Sequence, residues 1–195
     1  IEWGKFISTS KNGHFMFYRD YMEYHADRFA DASLMFYDKN KLVAVLVASV
    51  CDDIVYCHQG LTFGGFVMSK TIRTEQVLEC FELFYNYYKE NGYKKIIYKA
   101  IPYIYHRYPA DEDLFAISRY NFNLIRCDIS SAIDLRSRIP YTESRKSVLR
   151  KFHRNNVQII ESQEIHQFIH LLTKVVDKHG VKPVHSGNEM QYLME

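Results

Sequence analysis

The chain has little that would give its chemistry away at once. It has four prolines, eight glycines, one tryptophan and four cysteines in 195 residues. Cys51, Cys57, Cys80 and Cys127 form no CxxC pair, and no histidine stands at finger spacing from them. A zinc finger or thiolate metal site is therefore not expected. So few cysteines in a protein of this size read as reduced cytosolic thiols rather than a disulfide framework. No signal peptide is visible, and the longest apolar run, residues 42–50, is too short to span a bilayer. Net charge is only +2, from 25 basic and 23 acidic residues, which excludes a bulk polycation. There is no internal repeat and no low-complexity stretch.

What is present is an aromatic excess, 16 Tyr and 13 Phe. Tyrosine pairs an apolar ring with a hydroxyl and suits cores, cleft walls and interfaces alike. The pattern along the chain predicts a first helix over 15–29, a hairpin of strands 33–37 and 42–50 around Asp38-Lys39-Asn40-Lys41, and a third strand from Ile54 continuing through 61–68. The clearest helix covers 71–91, with Val77, Leu78, Phe81, Phe84, Tyr85 and Tyr88 on one face, a threonine cap at Thr71 or Thr74, and Gly92 as a left-handed stop. A short strand over 94–100, a helix over 110–120 with acids in its first turn and a strand over 123–135 follow. After Pro140 the texture changes: a basic helix 142–155, a short strand 157–160, a helix 163–179 and a last helical stretch. The fold class expected is α+β, a mostly antiparallel mixed sheet flanked by helices over 1–140, with 141–195 opening a second unit. Helices so poor in strands bury little surface alone, so this tail is expected to lead into a lobe that the chain does not complete.

Three segments carry candidate functional residues. The first is His58, Gln59, Gly60, Leu61, Thr62, Phe63, Gly64 and Gly65. Glycines inside a strand mark a bulge or a close backbone approach to a ligand, and a purely structural bulge is the alternative. The second is the loop of Tyr103, Tyr105, His106 and Tyr108 between two prolines. Aromatic loops with one titratable histidine can line a cleft, though a rigid surface loop explains them too. The third is the basic helix with Arg145, Lys146, Arg150, Lys151 and Arg154, of which 146, 150 and 154 share a face. Such a face suits phosphate, including tRNA, and is more commonly just solvated. No Ser/His/Asp or Cys/His constellation is readable, and catalytic residues are not assigned.

The element order resembles the GNAT acyltransferases, and the segments His58–Gly65, Ile101-Pro102-Tyr103-Ile104-Tyr105-His106 and Arg145-Lys146 before Asn156-Val157 resemble the two-lobed GNAT-like proteins related to the FemAB group. In GNAT proteins a glycine-rich loop before the long helix cradles the coenzyme A pyrophosphate on backbone N–H groups. Here that stretch is Met68-Ser69-Lys70-Thr71-Ile72-Arg73-Thr74 and has no glycine. The resemblance implies transfer of an acetyl or aminoacyl group to an amine, with a degenerate first lobe. It implies acyl-coenzyme A or aminoacyl-tRNA as donor, bound mainly by the other lobe, and a small-molecule or cell-wall-precursor amine as acceptor. A non-catalytic binding module of the same fold is the alternative, and an RNA-binding role for the basic helix is a third.

Overall fold

A computed structural model describes residues 2–24 and 26–194. The chain is an α+β protein that divides into two compact units, residues 1–125 and 126–195. The division falls ahead of the change in sequence texture at Pro140. Phe122 still packs on the first core, while Leu124 and Ile125 are exposed.

The first unit opens with a helix that the sequence pattern did not signal, α1 (Glu2–Thr9), which buries Trp3, Phe6 and Ile7. The helix expected over 15–29 is instead a 3-10 turn, Phe15–Phe17, followed by α2 (Arg19–Glu23). Tyr18 breaks the run by taking an extended conformation between them. The helical reading of His25 falls outside the described residues.

Seven strands form two sheets among the described residues. They are β1 (Ala30–Asp31), β2 (Leu34–Asp38), β3 (Lys41–Val47), β4 (Ser49–Cys51), β5 (Ile54–Tyr56), β6 (Gly65–Met68) and β7 (Lys95–Ile97). The order in one sheet is β1-β4-β5-β7 and in the other β2-β3-β6. The expected hairpin is β2–β3. Lys39 and Asn40 both take positive φ at its turn, the mirror-image turn that matches strand twist. Leu42 pairs with Tyr37 but Ala44 with Phe36, so Val43 is an extra residue. That slip explains why Leu42, Val45 and Val47 point into one core while Val43, Ala44 and Leu46 point into the other. One continuous apolar strand thus serves two layers: α1 covers one face and a long helix, α3 (Thr74–Glu90), covers the other.

On α3 the buried face is Val77, Cys80, Phe81, Phe84 and Tyr88, whereas Tyr85 is about half exposed under Lys89, whose ammonium sits 5.7 Å from its ring centroid. Neither threonine caps it. The Arg73 N–H donates to Gln76 Oε1 at 3.0 Å, and Gly92 ends the helix at φ 86°. After β7 come a 3-10 turn, Tyr103–Tyr105, and α4 (Glu112–Arg119).

The continuous strand expected over 54–68 is two strands in two sheets. β5 pairs in parallel with β7, while β6 pairs antiparallel with β3, and the chain swings between them through residues 57–64 with His58 at φ 54°.

The second unit holds α5 (Glu143–Arg154), α6 (Ile165–Asp177) and α7 (Gly187–Met194). Thr142 caps α5, its hydroxyl accepting from the Arg145 N–H at 3.4 Å. Ser186 and Glu189 exchange bonds at the start of α7, with the Ser186 N–H to Glu189 Oε2 at 2.6 Å and the Glu189 N–H to Ser186 Oγ at 3.2 Å. The strands expected over 123–135 and 157–160 are not formed among the described residues. Both runs carry β-prone apolar residues, yet Ile129 is 99% exposed and Ile159 89%. A strand needs a neighbouring backbone to bond to, and neither run takes part in a strand pairing among the described residues.

Candidate functional site

The two segments singled out in the first unit meet. Phe63, from the crossing between β5 and β6, stacks on Tyr105 with centroids 5.0 Å apart and planes 25° from parallel. His14, which the sequence did not point to, completes the contact at 5.2 Å from Phe63 and 5.0 Å from Tyr105. Phe15 lies 4.5 Å from His14. Phe63 is buried; Phe15, Tyr103 and Tyr105 are exposed. The His14 Nδ1 accepts the Met16 N–H at 3.5 Å, which fixes the start of the 3-10 turn. Burial lowers the His14 pKa from its ordinary value, so the ring is neutral around pH 7. A lone histidine ahead of a phenylalanine-rich run gives no signal of this role without the fold.

The remaining candidates of these segments are held as follows. His58 is buried with its ring 5.8 Å from Phe29. The Gln59 N–H donates to Ser49 Oγ at 3.0 Å. Gly60 is half-buried and Thr62 exposed. His106 Nε2 lies 3.1 Å from the Ile101 carbonyl oxygen. Tyr108 has Lys70 over its ring at 4.8 Å.

The glycines answer to the protein's own packing. A Cβ at Gly64 would lie 2.3 Å from the Cys57 carbonyl oxygen, and Gly65 sits at φ 84° with its missing Cβ 2.5 Å from Tyr98 Cζ. The crossing is anchored from inside by Lys99, whose ammonium donates to the carbonyls of His58 and Leu61. Burial lowers the Lys99 pKa.

β6 and β7 lie in different sheets and do not pair. The Gly64 N–H still reaches the Lys99 carbonyl at 3.0 Å, but the next N–H on that edge, Phe66, donates to the Tyr98 hydroxyl at 2.9 Å. That hydroxyl donates in turn to Asp113 Oδ2 at 2.7 Å. The rest of the β6 edge is taken by the N-terminal segment. Asn12 Nδ2 donates to the Phe66 carbonyl at 2.9 Å, Asn12 Oδ1 accepts the Met68 N–H at 2.8 Å, and the Lys11 N–H donates to the Met68 carbonyl at 2.9 Å. Side chains thus stand in for a strand, and no backbone group of that edge remains open to a ligand.

Burial is the largest influence on Asp113 and raises its pKa above 3.8, opposed by the hydrogen bonds from the Tyr98 hydroxyl and the Leu114 N–H. A buried acid with a raised folded pKa favours the neutral form. Its contribution to stability therefore improves as pH falls through the folded pKa toward 3.8 and is flat below that. Asp113→Asn, which keeps an acceptor for Tyr98, is expected to remove this dependence. The difference in denaturation free energy between native and variant should shift in favour of the native chain across that window; a difference constant with pH would contradict the assignment. Burial also pushes the Cys57 thiol up to about 12, so it is no nucleophile at neutral pH.

The start of α3, where GNAT proteins hold the coenzyme phosphates, has no glycine, and Lys70 and Arg73 stand just ahead of the helix. A shallow cavity of about 430 Å³ beside it is lined by Thr74, Pro109, Asp111, Glu112 and Phe115. Glu75 stands in the helix's first turn, and the buried Lys11 ammonium is spent on Glu112.

In the second unit, Arg145, Lys146, Arg150 and Arg154 are exposed on α5. Lys146 pairs with Glu143 at 2.7 Å, and Arg145, Arg150 and Arg154 have no carboxylate partner among the described residues. No group of three or more His, Cys, Asp or Glu that could hold a metal occurs among the described residues. No described helix is long and apolar enough to cross a membrane. Comparison of the chain with models of known protein families, with curated proteins and with solved structures finds no match.

Proposed function

We propose that the first unit is the acceptor-side lobe of an N-acyltransferase of the two-lobed GNAT-like kind related to the FemAB group, working in the cytoplasm. The observation that carries the reading is the break between β6 and β7. The residue entering β6 bonds to the chain leaving β7, Gly64 N–H to the Lys99 carbonyl, and beyond that point no backbone bond joins the two segments, beside the only parallel pairing among the described strands. Phe63, next to Gly64, stacks on Tyr105, which joins two of the segments that carry the resemblance, and His14 contacts both rings. Four free thiols agree with a reducing compartment.

The donor, acyl-coenzyme A or aminoacyl-tRNA, is held mainly by another lobe. The glycine-free start of α3 and the occupied β6 edge support this placement. The unpaired arginines of α5 are the groups suited to a phosphate-bearing donor such as tRNA. In the reaction, the acceptor's neutral amine nitrogen attacks the thioester or ester carbonyl carbon. The tetrahedral oxyanion collapses, the C–S or C–O bond breaks, and the proton lost by nitrogen ends on the leaving thiol or hydroxyl. The protein's share is to position the reactants and stabilise the oxyanion.

One observation favours a second reading, a binding module without catalysis: Tyr98 and Asp113 fill the opening and satisfy each other there. Incubating the protein with acetyl-coenzyme A or aminoacyl-tRNA and a panel of primary amines separates the two. Acylated amine detected by mass spectrometry is expected, and its absence with every donor favours the binding module.

A further inference from the structure

Helix α5 of the second unit has no buried residue, yet its sequence is sharply two-sided. Its three apolar residues, Val148, Leu149 and Phe152, fall within about 100° of arc. Val148 is 58% exposed and Leu149 40%, so that side lies open. The opposite ridge is cationic, with Lys146, Arg150 and Arg154 at i, i+4 and i+8. Lys151 and His153 stand on the two borders between the ridge and the apolar side. Arg145 lies at the N-terminal end of the apolar side, one turn ahead of Val148 and Leu149, where its aliphatic stem extends the apolar strip. Glu143, the helix's one carboxylate, is engaged by Lys146. Helix α6 has a similar texture: Phe168, Leu171 and Val175 are exposed, and no acidic residue precedes Asp177.

The two sides together discriminate among partners. A nucleic acid engages cations through phosphate and offers no apolar surface to Val148 and Leu149. A second copy of the chain would bring like charge against like across a two-fold axis. An anionic bilayer surface answers both sides at once: acyl chains take up the apolar strip, and headgroup phosphates meet the cations along its borders. At 12 residues the helix suits a place in the plane of the surface rather than across the bilayer.

We propose that α5 is an interfacial helix that docks on an anionic lipid surface, with Val148, Leu149 and Phe152 against the acyl chains and Arg145 and Lys151 on the headgroup phosphates. The proposal stands apart from acyl transfer. It gives these cations lipid phosphate in place of tRNA, and the test keeps the two apart.

Co-sedimentation of the 195-residue chain with vesicles of equal parts phosphatidylglycerol and phosphatidylcholine tests it, against vesicles of phosphatidylcholine alone. The chain is expected to sediment with the anionic vesicles and to stay in solution with the neutral ones. Arg145→Gln with Lys151→Gln should weaken binding about fivefold per cation and so about 25-fold together. Val148→Ser with Leu149→Ser leaves the charge unchanged and should weaken binding about tenfold through lost apolar burial. All four side chains are exposed, so both variants are expected to fold. Leu149→Trp supplies a second readout, a blue-shifted emission on anionic vesicles above the constant background of buried Trp3. A folded chain that stays in solution with anionic vesicles, or an unshifted Trp emission, overturns the proposal. So does binding undiminished by the two serines. Transfer RNA bound at the same salt and lost on Arg150→Gln with Arg154→Gln, with no vesicle binding, would give the helix to RNA. A dimer that dissociates on the two serines would give the strip to a second copy and equally overturn the proposal.

Discussion

Gly64→Ala and Gly65→Ala are each expected to destabilise the first unit by about 3 kcal/mol or more, in the range of the severe single substitutions. The causes differ, and a double-mutant cycle separates them. At Gly64 the new methyl would meet the Cys57 carbonyl, 2.3 Å away, and backbone cannot step aside cheaply. At Gly65 it would meet the end of the Tyr98 side chain and would also carry φ 84°, which costs an L-residue about 1 kcal/mol on its own. Tyr98→Leu should therefore recover part of the Gly65→Ala loss and none of the Gly64→Ala loss. Urea denaturation of six proteins, the native chain, the three single variants and the two double variants, measures both coupling energies. Equal coupling at the two positions would mean that the crossing is not held as described.

Asn12→Ala is expected to remove about 2–4 kcal/mol, because truncation strands a buried carbonyl and a buried N–H at once. Asn12 is 0% exposed, and its amide is the partner of Phe66 and Met68 on the β6 edge. Asn12→Asp is more informative. It keeps an acceptor for the Met68 N–H but turns a second oxygen on the Phe66 carbonyl. Ionised, that pair repels; protonated, the carboxyl restores a donor. The variant should be strongly destabilised at neutral pH and regain stability as pH falls through its raised folded pKa. Denaturation across pH 4 to 7, the span above the ordinary carboxylate value of about 3.9, checks this. A variant equally unstable throughout would argue against the edge-capping role.

These residues also show where sequence reasoning stops. The β2–β3 hairpin was legible because its turn residues and the apolar run beside them lie close together in the chain. α3 was legible because 17 residues repeat one apolar period. Asn12 carried no signal, since its partners lie 54 and 56 positions away. The separation of β5 from β6 was hidden for a related reason: an apolar run cannot say which of two sheets each end joins. Residues 123–135 erred the other way. Their alternation is strand-like, but a strand is a property of two backbones, and they take part in no strand pairing among the described residues. At the candidate site the two segments were each readable from local composition. What joins them, the Phe63–Tyr105 stack with His14 between, is tertiary.

The claim that ties these features together is that the first unit serves the acceptor rather than the donor. Steady-state acyl transfer by the intact protein, native against Tyr105→Ala, tests it most directly. The expected result is an acceptor KM raised about tenfold, as for one lost ring contact, with the donor KM unchanged. A donor KM that moves while the acceptor KM stays would contradict the account.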